Sequence, residues 1–297
     1  MALRATRYTT KAIVAGLLFG IAAHAIALDL DALWDFGNPG LSEELFRTAQ
    51  KDANRDEELI LQTQIARTYG LRGDYDKARA LLQEIEPRIA SASGEARARY
   101  WLELGRSYTS ATHSPESQTS ETRERARTAY DRAVEAARSE KRDDLQVDAL
   151  HMLALVDPSP AGGIKWTRQA LAMAEASSME SARRWAPSLH HNLGYALYQQ
   201  GKYAEALDEF NMALRLRESR GSAESIRVAR WMVAWTLRAL GRNDEALAIQ
   251  LALEKERDAA GAPSTDVYEE LEALYLAKGD VQLAARYAER RKAAAAR

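Results

Sequence analysis

Apolar and polar positions along this chain recur in a unit of about 40 residues. Four copies share an apolar residue, a glycine eight positions later and an alanine five positions after that: Ile65/Gly73/Ala78, Leu193/Gly201/Ala206, Val233/Gly241/Ala246 and Leu271/Gly279/Ala284. The intervening segments are rich in helix-favouring residues, and no alternating β-strand pattern of useful length occurs, which predicts an all-α fold. Because so short a unit cannot bury its own apolar face, the pattern predicts a solenoid of stacked helix pairs.

One copy carries a more specific pattern, made up of Asn192, Leu193, Gly194, Leu197, Gly201, Tyr203, Ala206, Phe210 and Ala213. This segment resembles the tetratricopeptide repeat almost position by position. Weaker copies begin near Ile65, Leu104, Leu153, Val233 and Leu271, so the resemblance covers about residues 57–297. It implies a right-handed superhelix of about six antiparallel helix pairs, in which small residues such as Gly194 and Ala206 let paired helices approach closely.

The repeats are longer than the common form of about 34 residues. The steps between equivalent apolar positions (65, 104, 153, 193, 233 and 271) are 39, 49, 40, 40 and 38 residues. This spacing is similar to the lengthened repeats of the kinesin light chain. Longer helices are expected to make the groove deeper. A polar insert at 111–120 interrupts the second copy, and its composition favours a loop without structure of its own.

Residues 28–56 lie outside the repeat pattern and are interpreted as an N-terminal extension and capping helix. We expect Trp34, Phe36 and Phe46 to cover the open apolar face of the first repeat, because a solenoid needs such a cap for solubility. Ser42, followed by two glutamates, is the predicted N-cap of the capping helix.

Residues 1–27 have the features of a cleavable secretory signal peptide. Three basic residues precede the apolar run 12–23, and two small-x-small motifs follow it, with cleavage expected near Ala27. The 12-residue run is shorter than the roughly 20 residues that span a bilayer. An uncleaved anchor and a buried helix remain as alternatives. The prediction is an exported protein, periplasmic if the source is a Gram-negative bacterium.

The charge and the absence of cysteine narrow the possible partners. The formal charge is −2, and loss of the three basic residues of the signal would make it −5. That balance is contrary to nucleic-acid binding, which relies on concentrated Lys and Arg. The chain has no cysteine, which excludes disulfides and cysteine metal sites. No stretch of the mature chain is predicted to span a membrane.

In this repeat family helix A lines the concave groove, chiefly with repeat positions 2, 5, 9 and 12. Positions 5, 9 and 12 supply the candidate partner-binding residues Arg67, Arg106, His151, His191, Tyr195, Tyr198, Trp231, Trp235 and Arg238. Aromatic residues and arginine are typical of binding hot spots. Two alternatives stay open: the aromatic residues pack in the core, and Arg67 and Arg106 pair with neighbouring carboxylates.

The histidines do not form a convincing metal site. His190 and His191 are adjacent on a helix and point about 100° apart, whereas His151 and His191 belong to successive helices about 10 Å apart. No catalytic motif is present, so the prediction is a protein that is not an enzyme and needs no cofactor.

The predicted function is that of a scaffold or adaptor which binds a protein or an extended peptide in its groove. A self-associating solenoid that forms a homodimer is the first alternative. A metal-dependent or acid–base enzyme built on His151 and His191 is the second, and a small-molecule sensor is a third.

Overall fold

The computed structural model describes residues 28–110 and 112–296, which are mostly helical and contain no strand. The predicted signal peptide lies outside these residues. The single-turn helix α1 (Leu30–Leu33) and α2 (Pro39–Ala49) precede the repeats. Six antiparallel helix pairs follow, as predicted: α3 (Arg55–Leu71) with α4 (Tyr75–Ile89), α5 (Gly94–Tyr108) with α6 (Ser120–Ser139), α7 (Asp143–Val156) with α8 (Pro160–Ala176) and, after the single-turn α9 (Glu180–Arg183), α10 (Ala186–Gln199) with α11 (Tyr203–Arg220), α12 (Ala223–Ala239) with α13 (Asn243–Ala259), and α14 (Thr265–Ala277) with α15 (Val281–Ala295).

The repeated glycine ends helix A of its pair. Gly201 has a φ of +72°, and its equivalents Gly73, Gly241 and Gly279 lie between +74° and +80°. This left-handed conformation lets the Lys202 N–H donate to the Leu197 carbonyl at 3.0 Å, which closes the end of α10. Glycine adopts it without the steric cost that a Cβ atom brings, so the position of the glycine sets the turn between the paired helices.

Small residues bring paired helices together, as the sequence predicts. A Cβ atom built on Gly194 would lie 2.9 Å from the ring of Phe210, and one on Gly105 would lie 2.4 Å from the ring of Tyr130. Phe210 and Tyr130 are both fully buried. Each aromatic ring on helix B therefore packs directly against the backbone of helix A.

The extension before the repeats differs from the prediction in two details. The N-cap of α2 is Asn38, whose side chain accepts from the Leu41 N–H, so the prediction of Ser42 is wrong. Ser42 is buried instead and hydrogen-bonds the Asp35 backbone N–H at 2.7 Å. Phe46 packs against the first repeat at Leu61 and Ile65.

Phe36 does not cover the first repeat. Its ring is 62 % exposed and stacks on Trp34 at a centroid distance of 4.6 Å. Trp34 in turn lies edge-on to Phe46 at 5.0 Å. The covering contact is therefore made by Phe46 and Trp34, with Phe36 on the outer side.

The polar insert has structure of its own over residues 112–120, contrary to the prediction. Pro115–Ser117 form a 3₁₀ turn. His113 is buried and stacks on Tyr75 at 3.7 Å, while the Tyr75 hydroxyl bonds that of Thr112 at 2.9 Å. These contacts fix the insert against α4.

None of the helices in the described ranges is long and apolar enough to cross a bilayer.

Candidate functional site

The inner faces of α3, α5, α7 and α10 enclose a cavity of about 600 Å³, here called the groove cavity. Its walls include the aromatic side chains of Trp34 and Trp185 and the arginines Arg67 and Arg106. The volume is within the range of about 300–1,000 Å³ that small-molecule pockets occupy.

Four charged side chains form the floor of the groove cavity and are called the charge cluster: Arg67, Glu103, Arg106 and Asp148. Glu103 accepts from Arg106 at 2.6 Å and from Arg67 at 3.3 Å. Arg106 also forms an ion pair with Asp148. The two positive and two negative charges cancel, which is how a protein can hold charges away from water.

Burial and neighbouring charges act on the pKa values of this cluster in opposite directions. Burial by itself would raise the pKa of Asp148, but Arg106 and Arg67 outweigh it, so the pKa is lowered. Burial lowers the pKa of Arg67, and the positive charge of Arg106 adds to the effect. Arg67 is thus the arginine of the cluster whose charge is least compensated within the protein.

Residues 28–38, here called the N-terminal arm, border one side of the groove cavity. The Trp34 indole N–H donates to Gln64 Oε1 at 3.1 Å. The Arg67 guanidinium lies 6.0 Å from the ring centroid of Trp34 and 5.9 Å from that of Phe36, within cation–π range. At its far end the arm pairs Asp31 with Arg184, which belongs to the segment before α10. The arm therefore connects the first repeat to the fourth.

The two predicted groove histidines lie in different surroundings. His151 packs on Trp185 at 5.3 Å, and burial lowers its pKa although Asp148 opposes the shift. Burial, with a smaller effect of Arg217, lowers the pKa of His191 to about 4. The His191 Nδ1 atom is buried and has no hydrogen-bond partner within residues 28–110 and 112–296. The same part of the chain has no group of three or more His, Cys, Asp or Glu residues that could hold a metal ion.

The four predicted aromatic residues of the second half lie together and are called the aromatic stack: Tyr195, Tyr198, Trp231 and Trp235. The Trp235 ring lies 3.5 Å from Tyr198, 5.7 Å from Trp231 and 6.4 Å from Tyr195, and all three pairs are nearly parallel. Tyr195 is 48 % exposed, whereas the other three rings are half-buried against the core. The stack is thus partly core packing and partly accessible surface.

One polar atom of the aromatic stack has no partner. The Trp231 Nε1 is buried and makes no hydrogen bond to any described residue. A buried N–H without an acceptor costs about 1–3 kcal/mol. Beside the stack, Arg238 donates two hydrogen bonds of 2.7 Å to Glu270.

The structure separates the predicted site residues into two groups. Arg67 and Arg106 line the groove cavity and His151 lines a pocket that shares both arginines, whereas the aromatic stack and Arg238 line the second half of the solenoid. His191 belongs to neither group, because its ring packs on Phe210 at 5.8 Å. All three predicted arginines are paired with carboxylates of the protein. Their role toward a partner stays a prediction.

The sequence analysis missed repeat position 6, one residue after position 5 on helix A. In the six repeats this position is Gln64, Glu103, Met152, Asn192, Met232 and Glu270. Where it is polar, its side chain reaches back to the preceding element: Gln64 to Trp34, Glu103 to Arg67, Asn192 to His151 at 3.4 Å, and Glu270 to Arg238. Aligning position 6 across the repeats would have identified these residues. The sequence analysis also did not select Asp148, which lies at repeat position 2, three residues before His151.

The paired helices, their glycine turns and the lined inner surface define an α-solenoid, a repeat protein whose broad inner face is available for binding. Residues 185–253 match the family model of the tetratricopeptide repeat. The resemblance to tetratricopeptide-repeat proteins with lengthened repeats is thereby confirmed for the fold and for this segment. The search of curated proteins finds no match.

Three solved structures show the same fold at low sequence identity. A signal-transduction ATPase (STAND) protein with a tetratricopeptide repeat sensor from Pyrococcus horikoshii is 14 % identical, with a TM-score of 0.66 over 86 % of this chain. The chain spans 40 % of the length of that protein. The TPR-like repeats of a putative kinesin light chain from Podosopora anserina are 19 % identical, with a TM-score of 0.53 over 71 % of this chain and all of theirs.

The third structure is a Rap protein complexed with competence and sporulation factor. It is 14 % identical, with a TM-score of 0.54, and the match covers 90 % of this chain and 76 % of the Rap protein. Identities this low establish a common fold and no more. The similarity to the lengthened repeats of the kinesin light chain, predicted from the repeat spacing, is confirmed by the match to the kinesin light chain structure.

Proposed function

We propose that this chain is an exported scaffold that binds an extended segment of another protein, or a peptide, along its concave groove. The observation that carries the proposal is the pair of surfaces on the inner helices, the groove cavity and the aromatic stack. The cavity supplies charged and aromatic walls, and the stack supplies apolar area around the exposed ring of Tyr195. The bound factor in the Rap structure supports this type of function for the fold.

An extended peptide suits both the groove cavity and the aromatic stack, because it can present charged and apolar side chains along one chain. Its apolar side chains can pack on the exposed ring of Tyr195, and an acidic side chain can lie beside Arg67, which shares the Glu103 carboxylate with Arg106. Aromatic rings held in a stack lose little conformational freedom on binding, so they contribute efficiently to affinity.

A photo-crosslinking experiment tests the proposed groove. A benzophenone amino acid replaces Tyr195 in one full chain and Val281 in a control, since Val281 is 66 % exposed on helix B of the last repeat. In cells of the source organism we expect a polypeptide adduct from position 195 and none from 281. The captured segment is then identified, synthesised, and titrated against wild type and Tyr195→Ala. Equal adducts from both positions, or equal affinity of both proteins, would contradict the proposal.

Two further outcomes address the remaining alternatives. An adduct of position 195 with a second copy of this chain, together with a dimeric mass in solution, would support the self-associating solenoid instead.

Export is tested by recovering the protein from the cell envelope and sequencing its N-terminus. We expect a chain that starts near Leu28, whereas an intact Met1 would contradict the cleavable signal.

A further inference from the structure

A second cavity lies at the edge of the solenoid, where α8 and α11 end and α10 begins. It has a volume of about 770 Å³, and it is here called the edge cavity. Of its lining residues, Arg184 and Ser188 also border the groove cavity, so the two cavities are neighbours. The volume is that of a typical ligand pocket.

The wall of the edge cavity is mainly apolar. Pro187 and Ala186 line it from the start of α10, and Met212 and Leu216 line it from α11. Met212 and Leu216 are four positions apart and lie on the same face of their helix. They form a strip suited to a flexible hydrocarbon chain, which such side chains accommodate easily.

The charged residues around this apolar wall are predominantly positive. Four arginines and two glutamates line the cavity: Arg183, Arg184, Arg217, Arg220, Glu175 and Glu180. Glu180 is shared by Arg183 and Arg220, and Arg184 pairs with Asp31 of the N-terminal arm. The formal excess of two positive charges favours an anionic ligand.

Of the four arginines that line the edge cavity, Arg217 is the one without a carboxylate partner among the described residues. Its guanidinium donates one long hydrogen bond of 3.4 Å to the Ser225 carbonyl, and no carboxylate of the described ranges pairs with it. Burial lowers its pKa, as expected for a cation taken out of water without compensation. A partly buried charge without a counter-charge is unfavourable, and a bound anion would reduce the penalty.

His190 also lines the edge cavity, but it lies between two glutamates of the protein. The side chain is 6 % exposed, and its Nδ1 bonds Glu209 at 2.6 Å. Its Nε2 is buried and makes no hydrogen bond within the described part of the chain, although Glu175 lies 3.3 Å away. His190 therefore has carboxylates of the protein beside both ring nitrogens, whereas Arg217 has none among the described residues.

We propose that the edge cavity binds an amphipathic carboxylate, whose head group pairs with Arg217 and whose hydrocarbon chain lies on Met212, Leu216 and Pro187. This site is separate from the groove and does not depend on the function proposed for it. The ligand is a free straight-chain carboxylate of medium length, because the cavity places a positively charged group beside an apolar strip.

Calorimetric titration with decanoate, below the concentration at which it forms micelles, tests the proposal. We expect one site per chain, with at least tenfold weaker binding of 1-decanol, which lacks the charge, and of butanoate, which lacks the chain. Arg217→Gln is expected to weaken decanoate binding at least tenfold and Met212→Gln at least threefold. Arg168→Gln is the control, since Arg168 is exposed and lies outside the cavity.

The melting temperature of each variant, measured without added decanoate, separates a binding role of Arg217 from a structural one. Because Arg217→Gln removes an uncompensated charge, its melting temperature should equal or exceed that of wild type while decanoate binding is lost. Absence of decanoate binding to wild type, or equal affinity for decanol, would overturn the proposal. Equal affinity of Arg217→Gln and wild type, or Arg217-dependent binding to phosphatidylglycerol vesicles in place of decanoate, would do the same.

Discussion

Asp31 and Arg184 lie 153 positions apart in the chain, yet their side chains form an ion pair of 2.9 Å. This pair ties the N-terminal arm to the segment before the fourth repeat, across the groove cavity that the intervening helices enclose. The arm thus converts the first part of an open groove into a bounded pocket. The solenoid is closed here by a segment that is not a repeat.

The arm should depend on Trp34 far more than on its ion pair. Asp31→Asn removes a pair whose side chains are 74 % and 56 % exposed, and such pairs contribute at most about 1 kcal/mol. Trp34→Ala loses the contact with Phe46 and the hydrogen bond to Gln64, so we expect about 2 kcal/mol of destabilisation. Urea denaturation measures both, and hydrogen exchange of residues 30–36 should rise more in Trp34→Ala. Equal effects of the two substitutions would contradict this account.

A matched pair of glycine substitutions tests the close packing of helix A on helix B. In Gly105→Ala the new methyl group would lie 2.4 Å from the Tyr130 ring, so we expect destabilisation of about 2–3 kcal/mol from overpacking. In Gly70→Ala the methyl group meets nothing within 4 Å, and alanine should stabilise α3 by about 0.5–1 kcal/mol. Chemical denaturation gives both values. A neutral Gly105→Ala would show that the helices can move apart without cost.

His191 should make the protein less stable in mild acid. Because burial lowers its pKa from 6.5 to about 4, the folded state resists a proton that the unfolded state binds. The contribution of His191 is complete above pH 6.5, is lost as the pH falls toward about 4 and changes no further below that. The total loss is at most about 3 kcal/mol.

The variant His191→Leu isolates this effect. Its free energy of unfolding should fall less than that of wild type between pH 6.5 and 4, because leucine binds no proton in either state. Above pH 7 the two proteins should show no such pH-dependent difference. Parallel pH profiles of the two proteins across the whole range would contradict the assignment to His191.

The aromatic stack should divide into a residue for binding and a residue for stability. Tyr195 is 48 % exposed, so Tyr195→Ala should cost less than 1 kcal/mol of stability yet weaken binding of the captured peptide about tenfold. Trp235 contacts three rings and packs against the core, so Trp235→Ala should cost about 2 kcal/mol. Thermal unfolding and peptide titration of the two variants separate these roles. A Tyr195→Ala variant as unstable as Trp235→Ala would identify the stack as packing alone.

The sequence predicted correctly those features that depend on residues close together in the chain. Gly201 ends α10 because the turn between the paired helices requires a positive φ, which glycine adopts readily. Position 194 is a glycine because the Phe210 ring of the next helix occupies the space that a side chain would need. The spacing of apolar residues then requires neighbouring pairs to stack. Local conformation and burial therefore specify six helix pairs without any knowledge of their final arrangement.

The partners of the charged residues could not be predicted in the same way. Whether Arg106 meets Asp148 or Arg238 meets Glu270 depends on how one repeat is rotated against the next. The contact of Asp31 with Arg184 depends on the curvature added up over the three repeats between them. A linear sequence specifies each helix and its apolar face, but small rotations accumulate along a solenoid. Only the tertiary structure decides which polar side chains meet across the groove and which, such as Arg217, have no carboxylate partner among the described residues.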